Sequence, residues 1–492
     1  MRTRALTLTL IFMLLSIQLS LTHGQTPNKY YVSPEGDDTH DGSVETPWRT
    51  INHSVSQLKP GDTLYIRGGV FHESIQITVS GTPNSIIKIQ NYPEENPIID
   101  GVELEGNGLL ISASYIMLSG LEIRNWNENG VWVESSQYIE ICNCVVHSVF
   151  YGIGFSDGSH DFKIRNCTLT DFTLYGFDAS ASGGEDCYNG VIENCRAFYG
   201  SDPGQNVDGF AMGHGAQTGF SFIDCVAYGV YDGFDISSDD TYLINCLAFE
   251  CSNAGYKIWG DNVTLINCIG FNSNTNLELD WSGTPKTVSV LNSDLVKAET
   301  FNIWVENSRD NLIIYNSVIT CGENIGLAFE DGFRDNYLGD YNVLHNWNPE
   351  RMVTFSYNKE YSLQDLIDNK WSQDTGQDNN SVFIDDPYVL FEDLDNMNLY
   401  PANGSPLINS ADQKTSVNYD FNSNARPNGS GSDIGAYEYY ENIEAEKVEV
   451  HEKPNFIFED ETFVEETDYS RLIGLGVLVL IISIVALWVW AR

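Results

Sequence analysis

The stretch FKIRNC at residues 162–167 is a short run of β-favouring residues that ends in Asn-Cys, and similar stretches recur through the middle of the chain. The others are IEICNC (139–144), VIENC (191–195), FIDC (222–225), LINC (243–246), LINC (265–268), VLNS (290–293) and IYNS (314–317). Their final Cys or Ser residues lie 23, 28, 30, 21, 22, 25 and 24 residues apart. Short strands at such a period predict a solenoid with one coil per repeat. We therefore predict an all-β fold, a parallel β-helix.

The cysteines that end these stretches form a predicted ladder, because the same position in successive coils stacks at roughly 4.8 Å. The chain has ten cysteines, and in an exported protein disulfides are the usual expectation. One Cys per coil is more simply explained as a stack of small buried hydrophobic side chains. We expect mostly free thiols, with disulfides between neighbouring coils as the alternative. The Asn before each Cys is expected to satisfy backbone groups at a turn.

Residues 1–24 are predicted to be a secretory signal peptide. Arg2 and Arg4 form a positive start, residues 5–21 are apolar, and small residues near Gly24 suit a cleavage site. A first transmembrane helix is the alternative. The signal peptide predicts that the β-helix domain, residues 25–440, is exported.

The end of the chain has two further predicted segments. Residues 441–470 are rich in Asp and Glu and are interpreted as a flexible acidic stalk. Residues 472–491 form an apolar, uncharged run that is long enough to span a bilayer, and Arg471 and Arg492 flank this run. We predict a transmembrane anchor at 471–492 that holds the protein on the outer face of the cell membrane. A processed C-terminal sorting signal is the alternative.

The formal net charge of the chain is −44, from 25 Lys and Arg against 69 Asp and Glu. A protein this acidic repels nucleic acid and anionic lipid, so neither is an expected partner. It can bind divalent cations. A solvated acidic coat, as in a salt-adapted protein, explains the total charge equally well.

A second column has the form x-Gly-aromatic-x and contains charged residues only in the middle coils. Its copies are NGVW (129–132), IGFS (153–156), YGFD (175–178), DGFA (208–211), DGFD (232–235) and AGYK (254–257). Asp208 and Asp232 are predicted ladder neighbours in the first position, as are Asp235 and Lys257 in the fourth. Asp178 lies two coils before Asp235. In this register the carboxylates and the ammonium converge within roughly 5–10 Å.

Carboxylates this close repel one another unless a cation joins them, and oxygen ligands on a fixed scaffold suit Ca²⁺. Lys257 is the only Lys or Arg between residues 197 and 285. A lysine beside a bound cation is expected to have a lowered pKa and can then act as a general base. The alternative is a calcium site that rigidifies the coil, with Lys257 simply paired to Asp235.

This column resembles the motifs of family-nine polysaccharide lyases, a pectate lyase group with a right-handed, ten-coil β-helix. Those enzymes carry Asn-Ala-Asp-Gly-Phe-Ala, here NVDGFA (206–211), and Asp-Asp-Gly-Trp-Asp, here YDGFD (231–235). They also carry Gly-Phe-Lys followed by a Gly, here GYKIWG (255–260). The likeness covers roughly residues 28–438, and its specific part is 206–260.

The resemblance implies a calcium site formed by Asp208, Asp232 and Asp235, with Lys257 as the catalytic base. Tyr231 stands where the family has the first Asp of a pair, which removes one ligand. Further candidate residues for metal or substrate contact are Asp178, Tyr231, His214, Trp259 and Glu278. His214 and Trp259 can line a sugar subsite, although a structural or simply exposed role is the commoner one for such residues. Glu278 aligns loosely with an Asp that the family often has one coil later.

The two ends of the domain also resemble secreted β-helix proteins related to pectate lyases. YYVSPEGDD (30–38), TPWRTI (46–51) and LKPGDTLYIRGG (58–69) are similar to their opening coil and predict a capping helix near 51–58. Residues 362–371 are predicted to form a helix with a Ser cap. GSPLI (404–408) and GSDIGAY (431–437) are similar to their shared ending. An end cap is expected, because an open last coil exposes an unpaired edge.

Three functions remain open from the sequence. A calcium-dependent lyase would remove the C5 proton of a uronic acid with Lys257, in a pectate-like acidic polysaccharide. A non-catalytic carbohydrate-binding adhesin or envelope protein would keep the scaffold alone. A glycoside hydrolase needs paired carboxylates, which Asp208 and Asp232 can supply, but it gives Lys257 no role. We expect a monomer that binds an acidic polysaccharide and contacts the membrane through its C-terminal helix.

Overall fold

Three long sheets run side by side along the coils. The computed structural model describes residues 28–441, apart from 181–183, 202–203, 205, 214–216, 281–282, 321–323, 331–332 and 356–358. The predicted signal peptide, nearly all of the predicted stalk and the predicted anchor lie outside the described residues. Among the described residues, no helix is both long and apolar enough to cross a bilayer.

Sheet 1 contains thirteen described strands, each parallel to its neighbours. They are β1 (Lys29–Val32), β2 (Thr63–Ile66), β5 (Ile87–Asn91), β8 (Ile116–Ser119), β11 (Ile139–Cys142), β13 (His160–Arg165), β15 (Tyr188–Glu193), β18 (Ser221–Ile223), β21 (Tyr242–Ile244), β24 (Val263–Ile266), β27 (Thr287–Leu291), β30 (Asn311–Tyr315) and β33 (Tyr337–Asp340). The strands that precede the Asn-Cys motifs therefore stack as predicted.

Sheets 2 and 3 are joined because β12 (Val145–Ser156) and β14 (Thr168–Ala179) take part in both. The other strands of sheet 2 are β3 (Gly69–Phe71), β6 (Pro97–Asp100), β9 (Glu122–Arg124), β16 (Arg196–Phe198), β19 (Val226–Tyr228), β22 (Leu247–Phe249), β25 (Ile269–Phe271), β28 (Asp294–Val296), β31 (Val318–Thr320), β34 (Val343–His345) and β37 (Val382–Phe383). The other strands of sheet 3 are β4 (Ile75–Ile77), β7 (Leu109–Ile111), β10 (Asn129–Glu134), β17 (Asp208–Met212), β20 (Phe234–Ile236), β23 (Ala254–Ile258), β26 (Thr275–Leu279), β29 (Phe301–Val305), β32 (Ile325–Phe329), β35 (Val353–Phe355) and β36 (Lys359–Tyr361), of which the last is antiparallel.

The Gly-aromatic column lies in sheet 3, and one of its copies needs correction. Val131 pairs with Ile153, so Gly152, and not Gly154, is the equivalent of Gly130. A Cβ on Gly152 would collide with the carbonyl oxygen of Gly176 in the next coil, which is why the column requires glycine. The sequence prediction was wrong here because it followed the aromatic residue Phe155. The inward side chain that follows the column's glycine in this coil is the aliphatic Ile153.

The inward positions of the column build the core. The rings of Phe210, Phe234 and Tyr256 stack in successive coils, with centroids 5.0 and 5.2 Å apart. The Tyr256 hydroxyl donates a hydrogen bond to the backbone oxygen of Cys246, 2.7 Å away. Because every coil supplies the same inward positions, the outward side chains can change without disturbing the core.

The cysteine ladder consists of free thiols. Nine cysteines lie among the described residues, and all nine are free and buried. Several thiols donate to backbone oxygens of the preceding coil, as Cys225 does to Ile192 at 3.4 Å. The preceding Asn residues adopt left-handed backbone conformations and link to one another, as Asn166 does to Asn143 at 3.1 Å. The prediction of mostly free thiols is confirmed.

Short helices close both ends of the core. α1 (Ile51–Gln57) begins after Thr50, whose side chain accepts a hydrogen bond from the His53 backbone. The helix predicted at 362–371 is instead two helices, α2 (Leu363–Ile367) and α3 (Lys370–Thr375). Ser362 caps the first of them as predicted, and Asn369, in a left-handed conformation, separates them. Trp371 of α3 is buried in the core of the last coils.

The C-terminal segment, residues 387–441, lies along sheet 2 and does not close the end of the solenoid. It contains one short 3₁₀ helix, Pro387–Val389, and the hairpin of β38 (Phe391–Asp393) and β39 (Asn398–Pro401), and the rest of it is irregular. Ile434 and Tyr437 pack with Phe249 and Phe271 in a hydrophobic cluster separate from the core. The ending motifs therefore cover a side of the solenoid, and α2 and α3 provide the cap. A further 3₁₀ turn, Phe333–Asn336, precedes β33.

Candidate active site

Three aspartates from neighbouring coils meet at sheet 3. Asp208 begins β17, Asp235 lies in β20, and Asp232 comes just before β20. Each offers one carboxylate oxygen, and these three oxygens all lie within 4.8 Å of one another. Asp208 and Asp232 are 0% exposed, and Asp235 is half-buried. The structure therefore brings together the three residues that the column placed in one group.

The first-position aspartates also serve the backbone of the next coil. Asp208 Oδ1 accepts a hydrogen bond from the Asp232 backbone N–H at 3.1 Å. Asp232 Oδ1 accepts from the Ala254 backbone N–H at 2.8 Å and from Asn253 Nδ2 at 2.7 Å. These bonds give the carboxylates a structural role and fix their orientation. They leave the second oxygen of Asp232 for another partner.

The remaining oxygens of this group suit a cation. Asp232 Oδ2 and Asp235 Oδ1 are buried, and neither accepts a hydrogen bond from any residue that the structure describes. A buried carboxylate oxygen without a donor is costly, and a bound cation removes that cost. An all-oxygen ligand set is the kind that Ca²⁺ prefers. Asp208, Asp232 and Asp235 therefore fit a calcium ion, which they would hold through these oxygens.

The electrostatics of the three aspartates agree with this interpretation. Burial, together with the charges of Asp232 and Asp235, raises the pKa of Asp208 to about 8. Burial and the charge of Asp232 raise the pKa of Asp235 to about 7. Burial also raises the pKa of Asp232, against the opposing effect of Lys257. Three carboxylates that are hard to ionise together are poised to ionise when a cation neutralises them.

Lys257 lies beside this group with its side chain 13% exposed. Its Nζ is 3.6 Å from Asp232 Oδ2 and 3.4 Å from Asp280 Oδ2, so its ion pairs are not with Asp235, the partner that the sequence suggested. Burial lowers the pKa of Lys257, but the carboxylates of Asp232, Asp235 and Asp280 outweigh it and raise the pKa above its ordinary value. The predicted fall in this pKa depends on a cation that neutralises these carboxylates, and it stays a prediction.

The other candidates lie at different distances from the aspartate group. Asp178 is separated from Asp235 by Ala211, its ladder neighbour in the intervening coil, and burial raises its pKa to about 7. Tyr231 is half-buried beside Asp232. The ring of Trp259 lies 5.1 Å from Lys257 Nζ. His214 lies outside the described residues.

A second acidic group, beyond Lys257, contains two residues that sequence reasoning missed. Glu278 is the ladder neighbour of Lys257 in the next coil. Its carboxylate lies with those of Asp280 and Glu306, and one oxygen of each falls within 4.8 Å of the others. Burial raises the pKa of Glu278 to about 8. Asp280, two residues after Glu278, could have been found by following the column beyond its last glycine.

Comparison with known proteins identifies the family. The family model described as "Pel9A-like, right handed beta helix region" matches residues 30–286, just over half of the chain. Pectate lyase PEL9 of Emericella nidulans is 29% identical over 194 residues, which is 38% of this chain and 44% of that protein. Pectate lyase L of Paenibacillus polymyxa is 26% identical over 219 residues, 42% of this chain and 44% of that protein. The matches therefore span less than half the length of either relative.

The solved structure of pectate lyase Pel9A has the same fold, with a TM-score of 0.54 at 15% identity over 85% of this chain and 98% of that chain. The parallel β-helix predicted from the repeats, and the right-handedness implied by the resemblance, are thereby confirmed. The chain belongs to the Pel9A-like β-helix family.

Proposed function

We propose that this member of the Pel9A-like family is a calcium-dependent polysaccharide lyase that cleaves a uronic-acid-containing, pectate-like polymer by β-elimination. One observation carries the proposal. Asp232 Oδ2 and Asp235 Oδ1 are buried and lack hydrogen-bond donors among the described residues, and Asp232 Oδ2 lies 3.6 Å from Nζ of Lys257, whose side chain is 13% exposed. Such a cluster offers a cation site and a base at the same place. The two pectate lyase relatives support the substrate class.

In the proposed reaction, Lys257 Nζ removes the C5 proton of a uronate. The electron pair of the C5–H bond forms a C4–C5 double bond, and the bond between C4 and the glycosidic oxygen breaks. The leaving oxygen takes a proton from water, and the new non-reducing end is unsaturated. Calcium held by Asp208, Asp232 and Asp235 would supply a link to the substrate carboxylate and make the C5 proton more acidic. The amine accepts a proton only when neutral, so its ion pairs with Asp232 and Asp280 must weaken in the working complex.

The test is an absorbance assay with Lys257→Ala. The purified protein is incubated with polygalacturonate, rhamnogalacturonan, alginate and chondroitin-type polymers, with calcium or with a chelator. We expect calcium-dependent ultraviolet absorbance from an unsaturated uronate, and a fall of at least about 100-fold in Lys257→Ala, as for loss of a general base. Lys163→Ala is the matched control, because Lys163 pairs with Glu193 on sheet 1, away from the site.

Other outcomes distinguish the alternatives. Undiminished absorbance in Lys257→Ala would exclude this lysine as the base. New reducing ends without absorbance would indicate hydrolysis by the carboxylates. No product on any polymer would favour a carbohydrate-binding surface protein, for which the two ion pairs of Lys257 would be structural.

We further propose that the protein acts outside the cell. Residues 1–24 would direct export, 25–440 would form the enzyme domain, and 441–470 with 471–492 would act as stalk and membrane anchor. Mild proteolysis before residue 471 is expected to release the β-helix domain from membranes that carry the full-length protein, whereas high salt is expected not to release the protein. Release by salt alone would contradict an anchor.

A further inference from the structure

An acidic column runs along sheet 3 beside the strands that carry Lys257 and Glu278. The Asp280 backbone N–H donates to Ile258 O at 3.1 Å, and that of Glu306 donates to Leu279 O at 3.0 Å. Asp280 and Glu306 therefore occupy the same position in successive coils. Equivalent positions of parallel strands lie roughly 4.8 Å apart, so the two like charges face each other directly.

Glu278 adds a third carboxylate from the neighbouring outward position of β26. It is 6% exposed, yet its side chain makes no hydrogen bond or ion pair with any residue in the described part of the chain. One of its oxygens lies within 4.8 Å of oxygens of both Asp280 and Glu306. A buried carboxylate that points at two others, with no donor of its own, needs a positive partner to be stable in its charged form.

We infer that Glu278, Asp280 and Glu306 form a second divalent-cation site, separate from the site at Asp208, Asp232 and Asp235. The ligand set is oxygen only, which suits a hard cation such as Ca²⁺ and not a transition metal. This inference does not depend on lyase activity, since it concerns only the binding of a cation.

The second site shares a neighbour with the first. Lys257 Nζ lies 3.4 Å from Asp280 on one side and 3.6 Å from Asp232 on the other, so the lysine separates the two acidic groups. A cation bound by Asp280 competes with Lys257 for that carboxylate. When a cation occupies the second site, Lys257 is therefore expected to pair mainly with Asp232.

Calcium stoichiometry tests the inference. The full-length protein is stripped with a chelator and titrated with Ca²⁺ by calorimetry at about 0.15 M salt, where exposed acidic groups are largely screened. We expect Glu278→Gln to bind one Ca²⁺ fewer than the wild type and to keep the site at Asp235. Asp235→Asn is expected to lose the other ion and to keep the second site. Glu299→Gln, at an exposed position between the same coils, is the matched control and should bind as the wild type does.

A melting curve without calcium shows whether Glu278→Gln folds. Because the substitution removes an unpartnered buried charge, its melting temperature in chelator should equal or exceed that of the wild type, and calcium should raise it less. Wild-type stoichiometry in Glu278→Gln would overturn the second site. Loss of all stoichiometric calcium binding in Asp235→Asn would also overturn it. Absent lyase activity with the expected stoichiometry would contradict only the proposed function.

Discussion

Charged side chains are buried both where the C-terminal segment meets sheet 2 and in the aspartate group of sheet 3, but their partners differ. Arg426 is fully enclosed, and its two terminal nitrogens donate four hydrogen bonds, three to backbone oxygens and one to Glu438 at 3.1 Å. In the aspartate group, Asp232 Oδ2 and Asp235 Oδ1 accept no hydrogen bond from the described residues. Charges that the fold surrounds with partners hold the chain together. Buried carboxylate oxygens that lack a hydrogen-bond donor are available to a ligand, at a cost to the unliganded protein.

The largest expected effect comes from breaking the satisfied pair. Arg426→Met should lower the free energy of unfolding by about 3–5 kcal/mol, because it leaves Glu438 buried without its counter-charge. Chemical denaturation measures the change. Lys297→Met is the control, since the Lys297–Asp395 pair is partly exposed and screened by solvent and should therefore contribute little to stability. Equal losses in the two variants would mean that burial and hydrogen bonding do not distinguish them.

A smaller effect of opposite sign is expected in the unsatisfied group. Asp235→Asn should not lower stability in chelator, because it removes one of three mutually repelling buried carboxylates. It should abolish most of the calcium-dependent stabilisation, which for one site is about 2.7 kcal/mol at 100 times the dissociation constant. Thermal melts in chelator measure the stability of the calcium-free protein, and melts with calcium measure the stabilisation that calcium adds. Asp171→Asn, at an exposed position, should respond to calcium as the wild type does. A marked loss of stability for Asp235→Asn in chelator would place Asp235 among the structural charges.

A third effect, on the pH dependence of stability, concerns Asp294, which is buried between sheet 2 and the C-terminal segment. It is 1% exposed, and burial raises its pKa from an ordinary value of 3.8 to about 8. A carboxyl group with a raised pKa contributes stability that is complete below about pH 4 and is lost as the pH rises to about 8. Asp294→Asn should therefore gain stability over the wild type across that window, with the largest gain at its upper end. Parallel pH profiles of the two proteins, measured by denaturation, would contradict this.

Much of the fold follows from the spacing of a few residue types. The Asn-Cys stretches predict the coils of sheet 1, and the Gly column predicts which residues stack in sheet 3. Both work because a coil of nearly constant length returns the chain to the same place. The error at Gly154 shows the limit. The ladder partner of Val131 is Ile153 and not Phe155, and this register is set by packing between coils.

Less of the site follows from the sequence. The column correctly makes Asp235 and Lys257 ladder neighbours. It does not reveal that Lys257 reaches Asp232 and Asp280 instead, because the direction of a long side chain depends on everything that surrounds it. Nor does it reveal Glu306, which comes close to Asp280 only because the intervening loop returns the chain to the same edge.

The sequence by itself determined the solenoid, its cysteine ladder and the group of Asp208, Asp232 and Asp235, since each depends on one residue per coil at a regular interval. Only the tertiary structure decided which charges have partners. Arg426 and Glu438 are twelve residues apart in an irregular segment, where no period predicts a contact. Whether a buried carboxylate is satisfied depends on every donor within about 3 Å, and these donors come from coils and loops that the chain brings together only on folding.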